Sequence, residues 1–139
     1  MFNNQKENFI EYIGISKDID KSKLFKKSIF ETDIVFEKEL SNIEISKIYA
    51  SLIIEDKEFL EDIKTIFYIL KIDISIEYID EDKFGMIALK KFINYKTLYF
   101  KTDIGDSLNI KNNITNIKFL ELQNNRYYIY IDIHSSFIF

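Results

Sequence analysis

The stretch that decides the fold is residues 66–80, IFYILKIDISIEYID, because its hydrophobic period changes partway along. From Ile72 onward apolar and polar side chains alternate, which is the two-residue period of a strand. Upstream, the apolar residues follow the spacing of a helix face: Phe59, Ile63, Ile66, Phe67 and Leu70. The stretch therefore predicts a helix over 56–71 that is followed by a strand over 72–79.

Helical spacing also runs through the residues that precede this stretch. Residues 41–44, Ser-Asn-Ile-Glu, have the form of a capping box, and apolar residues then recur at i, i+3, i+4, i+7 and i+8 from Ile45 to Ile53. Shorter patterns predict helices over 4–13 and 21–30, the first of them ended by Gly14. The N-terminal half is therefore predicted to be helical, with a buried strand over 49–54 as the open alternative.

Beyond residue 80 the sequence has the pattern of strands and turns. We predict strands over 86–92, 97–101, 118–122 and 127–134, a turn near Asn94, and mostly turn and loop over 103–116. A turn at 123–125 joins the last two strands as a hairpin. Helices followed by closely connected strands predict an α+β fold, with N-terminal helices packed on one face of a mainly antiparallel sheet of about five strands formed by the C-terminal half.

The composition is that of a globular protein. The 139 residues are 47% apolar and 30% charged, which suffices for a full core and predicts a single domain over 1–139. The sequence has no cysteine and its N-terminus has no apolar signal-peptide segment, so we expect a cytoplasmic protein without disulfides. Isoleucine, phenylalanine and lysine are abundant while valine, alanine and arginine are rare, a codon bias typical of a low-GC bacterium or its phages.

Charge is strongly segregated, although the formal net charge is only −4. Residues 55–82 contain ten carboxylates and three lysines, whereas residues 83–101 contain five lysines and no carboxylate. Clustered charge steers association and selects partners. We therefore predict an acidic surface that occupies a basic site on another protein. Its residues are Glu55, Asp56, Glu58, Glu61, Asp62, Asp80, Glu81 and Asp82.

The basic segment indicates an alternative function. Lysines are interleaved there with aromatic residues, a combination that holds single-stranded nucleic acid by neutralising phosphates and stacking on bases. The residues predicted to do so are Lys83, Lys90, Lys91, Lys96, Tyr99 and Lys101. Because the chain has one arginine and a pI near 5.1, nucleic acid ranks behind a protein partner.

A further alternative is enzymatic and rests on Glu55-Asp56-Lys57, which has the form Glu-x-Lys, with Asp33 upstream. The order of Asp33, Glu55 and Lys57, followed by a predicted helix and strand, resembles the core of the PD-(D/E)xK nucleases. The resemblance covers about a third of the chain. The resemblance implies that Asp33 and Glu55 hold Mg²⁺ and that Lys57 orients the attacking water. It requires residues 49–54 to form a strand.

Other motifs that carry chemistry are incomplete in the sequence. His134 is the only histidine and shares one face of the last predicted strand with Tyr128, Tyr130 and Asp132, which predicts a tyrosine-lined surface. Three scattered glycines cannot form a phosphate-binding loop. We therefore predict no cofactor and no metal site.

Together these patterns favour a non-enzymatic binding module. A small acidic protein without catalytic equipment is typical of an inhibitor or immunity protein of a mobile element, which neutralises a toxin or blocks a host defence complex such as CRISPR. We expect a protein partner with a basic surface and no contact with a membrane. A homodimer is left open.

Overall fold

The computed structural model describes residues 10–17, 24–36, 43–105, 108–123 and 126–138. Seven strands make up nearly all of this part of the chain: β1 Glu11–Ile13, β2 Phe25–Val35, β3 Ile43–Leu60, β4 Thr65–Asp80, β5 Met86–Lys101, β6 Asn109–Gln123 and β7 Arg126–Ile138. They form sheet A, in the order β1-β3-β4-β5, and sheet B, in the order β2-β7-β6. The predicted α+β fold is therefore wrong, because the N-terminal half contributes strands to both sheets.

The two sheets pack face to face, and their central strands, β4 and β7, supply most of the core. On β4 every even-numbered residue from Ile66 to Asp80 is buried, and on β7 every odd-numbered residue from Tyr127 to Ser135 is buried. This alternation is expected of strands that cover a core with one face. Aromatic rings join the layers, with the ring centroids of Phe100 on β5 and Phe137 on β7 3.9 Å apart.

Most of sheet A is a meander of β3, β4 and β5 with tight connections. A 3-10 turn at Glu61–Ile63 ends at Lys64, which has a φ of 49°, and a second at Glu81–Lys83 ends at Phe84, which has a φ of 60°. Left-handed residues at these positions reverse the chain over a short distance. The 16 residues of β4 separate the two turns by about 50 Å of extended chain.

One side of the sandwich is closed by the segment around β1, which contacts both sheets. β1 pairs in parallel with β3. After Gly14 the chain crosses to sheet B, where Ile15 forms a parallel bridge with Ile114 and the Ser16 amide donates to the Ile114 carbonyl at 2.8 Å. On the opposite side no described strand joins the sheets, so β5 and β2 are edge strands.

The helical spacing over 45–53 has two causes in β3: a β-bulge next to Ile45, and the apolar residues Tyr49 and Ile53 on the outward face of the strand. The pairing of β3 with β4 shifts by one residue between Ile45 and Lys47 and again between Ile54 and Asp56. Because a bulge places two residues opposite one, Ile45 and Ile48 both pack toward the core although they are three positions apart. The predicted helix is wrong here, and the alternative of a strand over 49–54 is confirmed.

The other predicted helices are also wrong. Residues 56–71, predicted as a helix, form the end of β3, the first turn and the start of β4. At the start of β4 the apolar residues Ile66 and Leu70 face inward and Phe67 faces outward, so the sequence shows no two-residue period there. The shorter helices are replaced by β1 and β2 in their described parts. Residues 4–9, 21–23 and 41–42, the last from the predicted capping box, lie outside the described residues.

Several predictions for the C-terminal half are confirmed. Residues 72–79 belong to β4, and β6 and β7 form the predicted antiparallel hairpin, whose turn residues 124–125 lie outside the described residues. The predicted strands over 86–92 and 97–101 are one continuous strand, β5, without a turn at Asn94. Residues 109–116, predicted as loop, belong to β6, because strand pairing with β7 outweighs the turn preference of asparagine.

Candidate functional site

The predicted acidic residues lie in two groups at opposite ends of β4. Five of them are exposed at the end of β3 and in the turn that follows: Glu55, Asp56, Glu58, Glu61 and Asp62. Asp80, Glu81 and Asp82 lie at the other turn, about 50 Å away along β4. The structure therefore places the first five at one end of β4 and does not join them to the other three.

Asp80 differs from the other acidic residues because it is buried, with 3% of its surface exposed. Its Oδ1 accepts a hydrogen bond from the Asp82 amide at 3.0 Å, which fixes the start of the 3-10 turn. Asp80 is the last inward-facing residue of β4, and its carboxylate shapes the β4–β5 connection.

The three residues of the nuclease hypothesis lie in different sheets. Asp33 is on the outer face of sheet B, where its Oδ2 accepts a hydrogen bond from Arg126 at 2.6 Å, whereas Glu55 and Lys57 are on β3 of sheet A. The Lys57 ammonium donates to the Leu108 carbonyl at 3.0 Å. Within the described ranges, no group of three or more histidine, aspartate or glutamate side chains is placed to hold a metal ion.

The basic residues of 83–101 lie along both sides of β5. Lys91, Tyr99 and Lys101 belong to the outer face of sheet A, whereas Lys90 and Lys96 pair with buried residues of β4 and lie on the side toward sheet B. The remaining residue, Lys83, is in the turn before the strand. The lysines therefore border a strand edge and do not share one flat surface.

Sequence reasoning identified Tyr99 but missed the row of exposed apolar side chains to which it belongs on the outer face of β5. We call this row the β5 apolar strip; its members are Ile87, Leu89, Ile93, Tyr95 and Tyr99. Each is between 47% and 68% exposed, and Phe84 in the preceding turn is fully exposed. Lys91 and Thr97 interrupt the row on the same face. Exposed apolar side chains clustered on one face mark interaction surfaces in folded proteins.

A signal for the strip is present in the sequence. Residues 86–101 carry apolar side chains at odd as well as even positions, and in an edge strand only one of these sets can face the core. A division of the segment at Asn94 into two short strands hides this signal, because neither piece is long enough to show it.

The strip is continuous with apolar residues of β4. The pairing of β4 with β5 places Phe67 beside Tyr99, and the centroids of the two rings are 6.1 Å apart. Near the other end of the strip a shallow depression of about 370 Å³ is lined by Tyr49, Ser75, Glu77, Ile87, Ala88 and Leu89. Lys91 lies 3.8 Å from the Asp73 carboxylate between these two regions. The outer face of sheet A thus combines an apolar row with a few charged groups.

On the outer face of sheet B polar side chains pair with one another. Tyr128 donates a hydrogen bond to the Glu31 carboxylate, which raises the pKa of the Tyr128 hydroxyl to about 12. Beside them, Arg126 and Asp33 form an ion pair with a separation of 2.6 Å. These groups satisfy each other across β2 and β7, and single apolar side chains such as Ile29 and Val35 are exposed on the same face.

His134 also lies on the outer face of sheet B, together with Tyr128, Tyr130 and Asp132, which confirms the predicted tyrosine-lined surface. Its ring stacks on Phe25 with centroids 5.1 Å apart. Its Nδ1 lies 3.4 Å from the Ser136 hydroxyl, but Ser136 is fully buried. The pair therefore presents no nucleophile at the surface.

The backbone of β5 is the second feature of the site. As the last strand of sheet A, β5 has on its far side a row of N–H and C=O groups that pair with no described strand. Lys26 of β2 reaches one of them, donating to the Tyr99 carbonyl at 2.7 Å with its ammonium 4.0 Å from the Tyr99 ring centroid. Burial, together with the nearby charge of Lys96, lowers the pKa of Lys26.

Comparison of the chain with protein-family models, with curated proteins and with solved structures found no match. In the part of the chain that the structure describes, no helix has the length and apolar composition needed to cross a membrane. The functional interpretation therefore depends on the surfaces of the two sheets.

Proposed function

We propose that this protein is a protein-binding module that contacts its partner through the outer face of sheet A along β5. The observation that carries the proposal is the β5 apolar strip, which the fold leaves uncovered. Removing apolar surface from water contributes about 25 cal/mol per Å², and the costs of association and of ordering side chains offset part of this gain. Tyrosine, which occurs twice in the strip, is enriched at protein interfaces.

A protein partner fits this face better than single-stranded nucleic acid does. Ile87, Leu89 and Ile93 are aliphatic, whereas bases stack on aromatic rings and guanidinium groups. The carboxylates of Asp73 and Glu77 lie on the same face of β4, where they would repel phosphates. Nucleic acid therefore stays the alternative, and the experiments below include it.

Within this class we favour an inhibitor or immunity-type protein that acts in the cytoplasm. Such a protein needs a surface that occupies its partner, and the described residues offer a surface of that kind. The lack of cysteine suits a compartment in which thiols stay reduced. The acidic group at the β3–β4 turn, which includes Glu58 and Glu61, borders the same face and is expected to steer a partner with a basic surface.

The proposal is tested by affinity purification with two matched variants. Ile93→Asp changes the β5 apolar strip, and Ile29→Asp is the control on the outer face of sheet B, because the two side chains are 47% and 45% exposed. We expect the wild type and Ile29→Asp to retain one protein in stoichiometric amount, and Ile93→Asp to lose it. The proposal fails if Ile93→Asp retains the partner.

A third variant tests the acidic surface directly. Reversing Glu58, Glu61 and Asp62 to lysine should weaken association mainly through its rate, because exposed charges steer encounter more than they hold a complex together. If this variant abolishes binding while Ile93→Asp does not, the contact surface is the acidic turn and not sheet A.

A further inference from the structure

We infer that the segment of the partner that binds β5 is an acidic, extended stretch of polypeptide, which adds to the free edge of β5 as a further strand of sheet A. The inference rests on the proposed function and specifies what the partner presents. Three features carry it: the backbone edge of β5, the charge around that edge, and the alternation of side chains along it.

The backbone edge is long and regular. β5 runs for 16 residues, and its pairing with β4 is continuous from Met86 to Lys101 without a register shift. Proteins protect edge strands with bulges, prolines, short lengths or charged side chains, and of these β5 has only the charges of its lysines. Such an edge stays a template for strand addition by a segment of opposite charge, because the incoming backbone completes the hydrogen bonds of the sheet.

Charge selects what can approach this edge. β5 carries Lys90, Lys91, Lys96 and Lys101 and no carboxylate, and Lys26 of β2 adds a positive charge beside Lys96. A second copy of the chain, paired edge to edge through β5, would bring two sets of lysines together, and neither copy of β5 carries a carboxylate. An acidic segment is complementary to the edge, so it is favoured over a homodimer.

The alternation of side chains specifies the pattern of the segment. An added strand directs every second side chain to the outer face of sheet A, beside Ile87, Leu89 and Ile93, and the others to the opposite side, beside Lys90 and Lys96. The segment should therefore alternate apolar with acidic residues. The Lys26 ammonium already donates to the Tyr99 carbonyl. The partner's segment is therefore expected to pair with the part of β5 upstream of Tyr99.

The test uses a fluorescent peptide that alternates valine with glutamate, added to the whole chain and followed by fluorescence anisotropy. We expect binding that weakens as salt is raised, and at least about tenfold weaker binding of a peptide that alternates valine with lysine. Equal affinity for the two peptides overturns the inference. Tighter binding of oligothymidylate than of the glutamate peptide also overturns it, in favour of nucleic acid.

Backbone pairing is tested by N-methylation of alternate amides in the glutamate peptide. In antiparallel addition the valine amides face β5, because residues that exchange backbone hydrogen bonds have their side chains on the same face. Methylation of the valine amides should abolish binding, and methylation of the glutamate amides should leave it in place. If the peptide methylated on valine binds as well as the unmodified one, no strand is added and the inference fails.

Charge-reversal variants of the protein provide an independent control. Lys90→Glu with Lys96→Glu should weaken binding of the glutamate peptide by about tenfold or more. Lys27→Glu with Lys111→Glu makes the same change of charge on the outer face of sheet B and should leave binding unchanged. Equal loss in both double variants would assign the effect to net charge and refute an edge site.

These outcomes separate the inference from the proposed function. If Ile93→Asp abolishes retention of the partner but the peptides behave alike, sheet A binds a protein in another way and only the inference fails. If Ile93→Asp retains the partner as well, both fail. The protein is also sedimented with and without the glutamate peptide. A dimer that the peptide does not dissociate would show that a second copy of the chain occupies the edge, and the inference would fail.

Discussion

At the scale of single residues, Gly14 decides whether one side of the sandwich can close. Its φ is 120°, and a Cβ at this position would overlap the carbonyl oxygen of Ala50 in β3. The obstacle is backbone held in the pairing of β1 with β3, so it cannot rotate away as a side chain would. We expect Gly14→Ala to lower the free energy of unfolding by about 2–4 kcal/mol, measured by urea denaturation.

Gly85 provides the matched control for this substitution. Its φ of 71° is also left-handed, but a Cβ there would meet only the Ile79 side chain at 4.0 Å. Gly85→Ala should therefore cost about 1 kcal/mol, the conformational penalty alone. Equal losses in the two variants would contradict a steric role for Gly14.

Tyr127 links stability to alkaline pH. Burial, with a smaller contribution from the Glu121 carboxylate, raises the pKa of its hydroxyl from 10.0 to about 12. The folded protein therefore favours the neutral Tyr127 hydroxyl. The contribution of this hydroxyl to the free energy of unfolding is complete below pH 10 and is lost as the pH rises through 12. We expect base-induced unfolding in this window, followed by circular dichroism.

Two variants check the assignment of this effect to Tyr127. Tyr127→Phe removes the ionising group from the core and should move the midpoint of unfolding to higher pH. Tyr95→Phe, on the exposed face of β5, should leave the midpoint in place. An unchanged midpoint in Tyr127→Phe would show that other groups control the transition.

At the scale of elements, the sequence predicts strands most directly where one face is apolar and the other polar. This holds for residues 72–79 in β4 and for 127–134 in β7, both of which alternate cleanly. It fails in β3, where bulges produce a three-residue step, and at the start of β4, where both faces are apolar. The abundance of isoleucine and phenylalanine, which is typical of the codon bias, is also a composition that favours strands.

The candidate site could be predicted only in part for a related reason. Residues 55–62 and 80–82 are close in sequence, but an extended strand carries them apart, whereas a helix over 56–71 would have kept them nearer. The lysines of β5 were identified from composition. The β5 apolar strip was not, because which face of a strand is outward depends on the sheet that packs against it.

Amide exchange tests the description of β5 as an edge strand. Because the Tyr99 carbonyl points away from β4, we expect amides of odd-numbered residues from Ile87 to Thr97 to exchange rapidly and those of even-numbered residues to be protected by β4. Residue-resolved exchange by NMR measures this alternation. Uniform protection along β5 would show that its edge is already covered.

At the scale of the whole molecule, the fold has one closed and one open side. The segment around β1 joins the sheets beside β3 and β6, while β5 and β2 end the sheets on the other side. The open side holds the lysines and the β5 apolar strip, and five carboxylates are grouped at one end of the sandwich. This polarity allows a partner to be oriented by charge and held by β5.

The central claim is that the partner covers β5, and amide exchange of the complex tests it most directly. With the retained protein bound, we expect new protection of the odd-numbered amides from Ile87 to Thr97 and unchanged exchange in β7 of sheet B. Protection confined to the turn at Glu61–Ile63, or to the outer face of sheet B, would contradict the account.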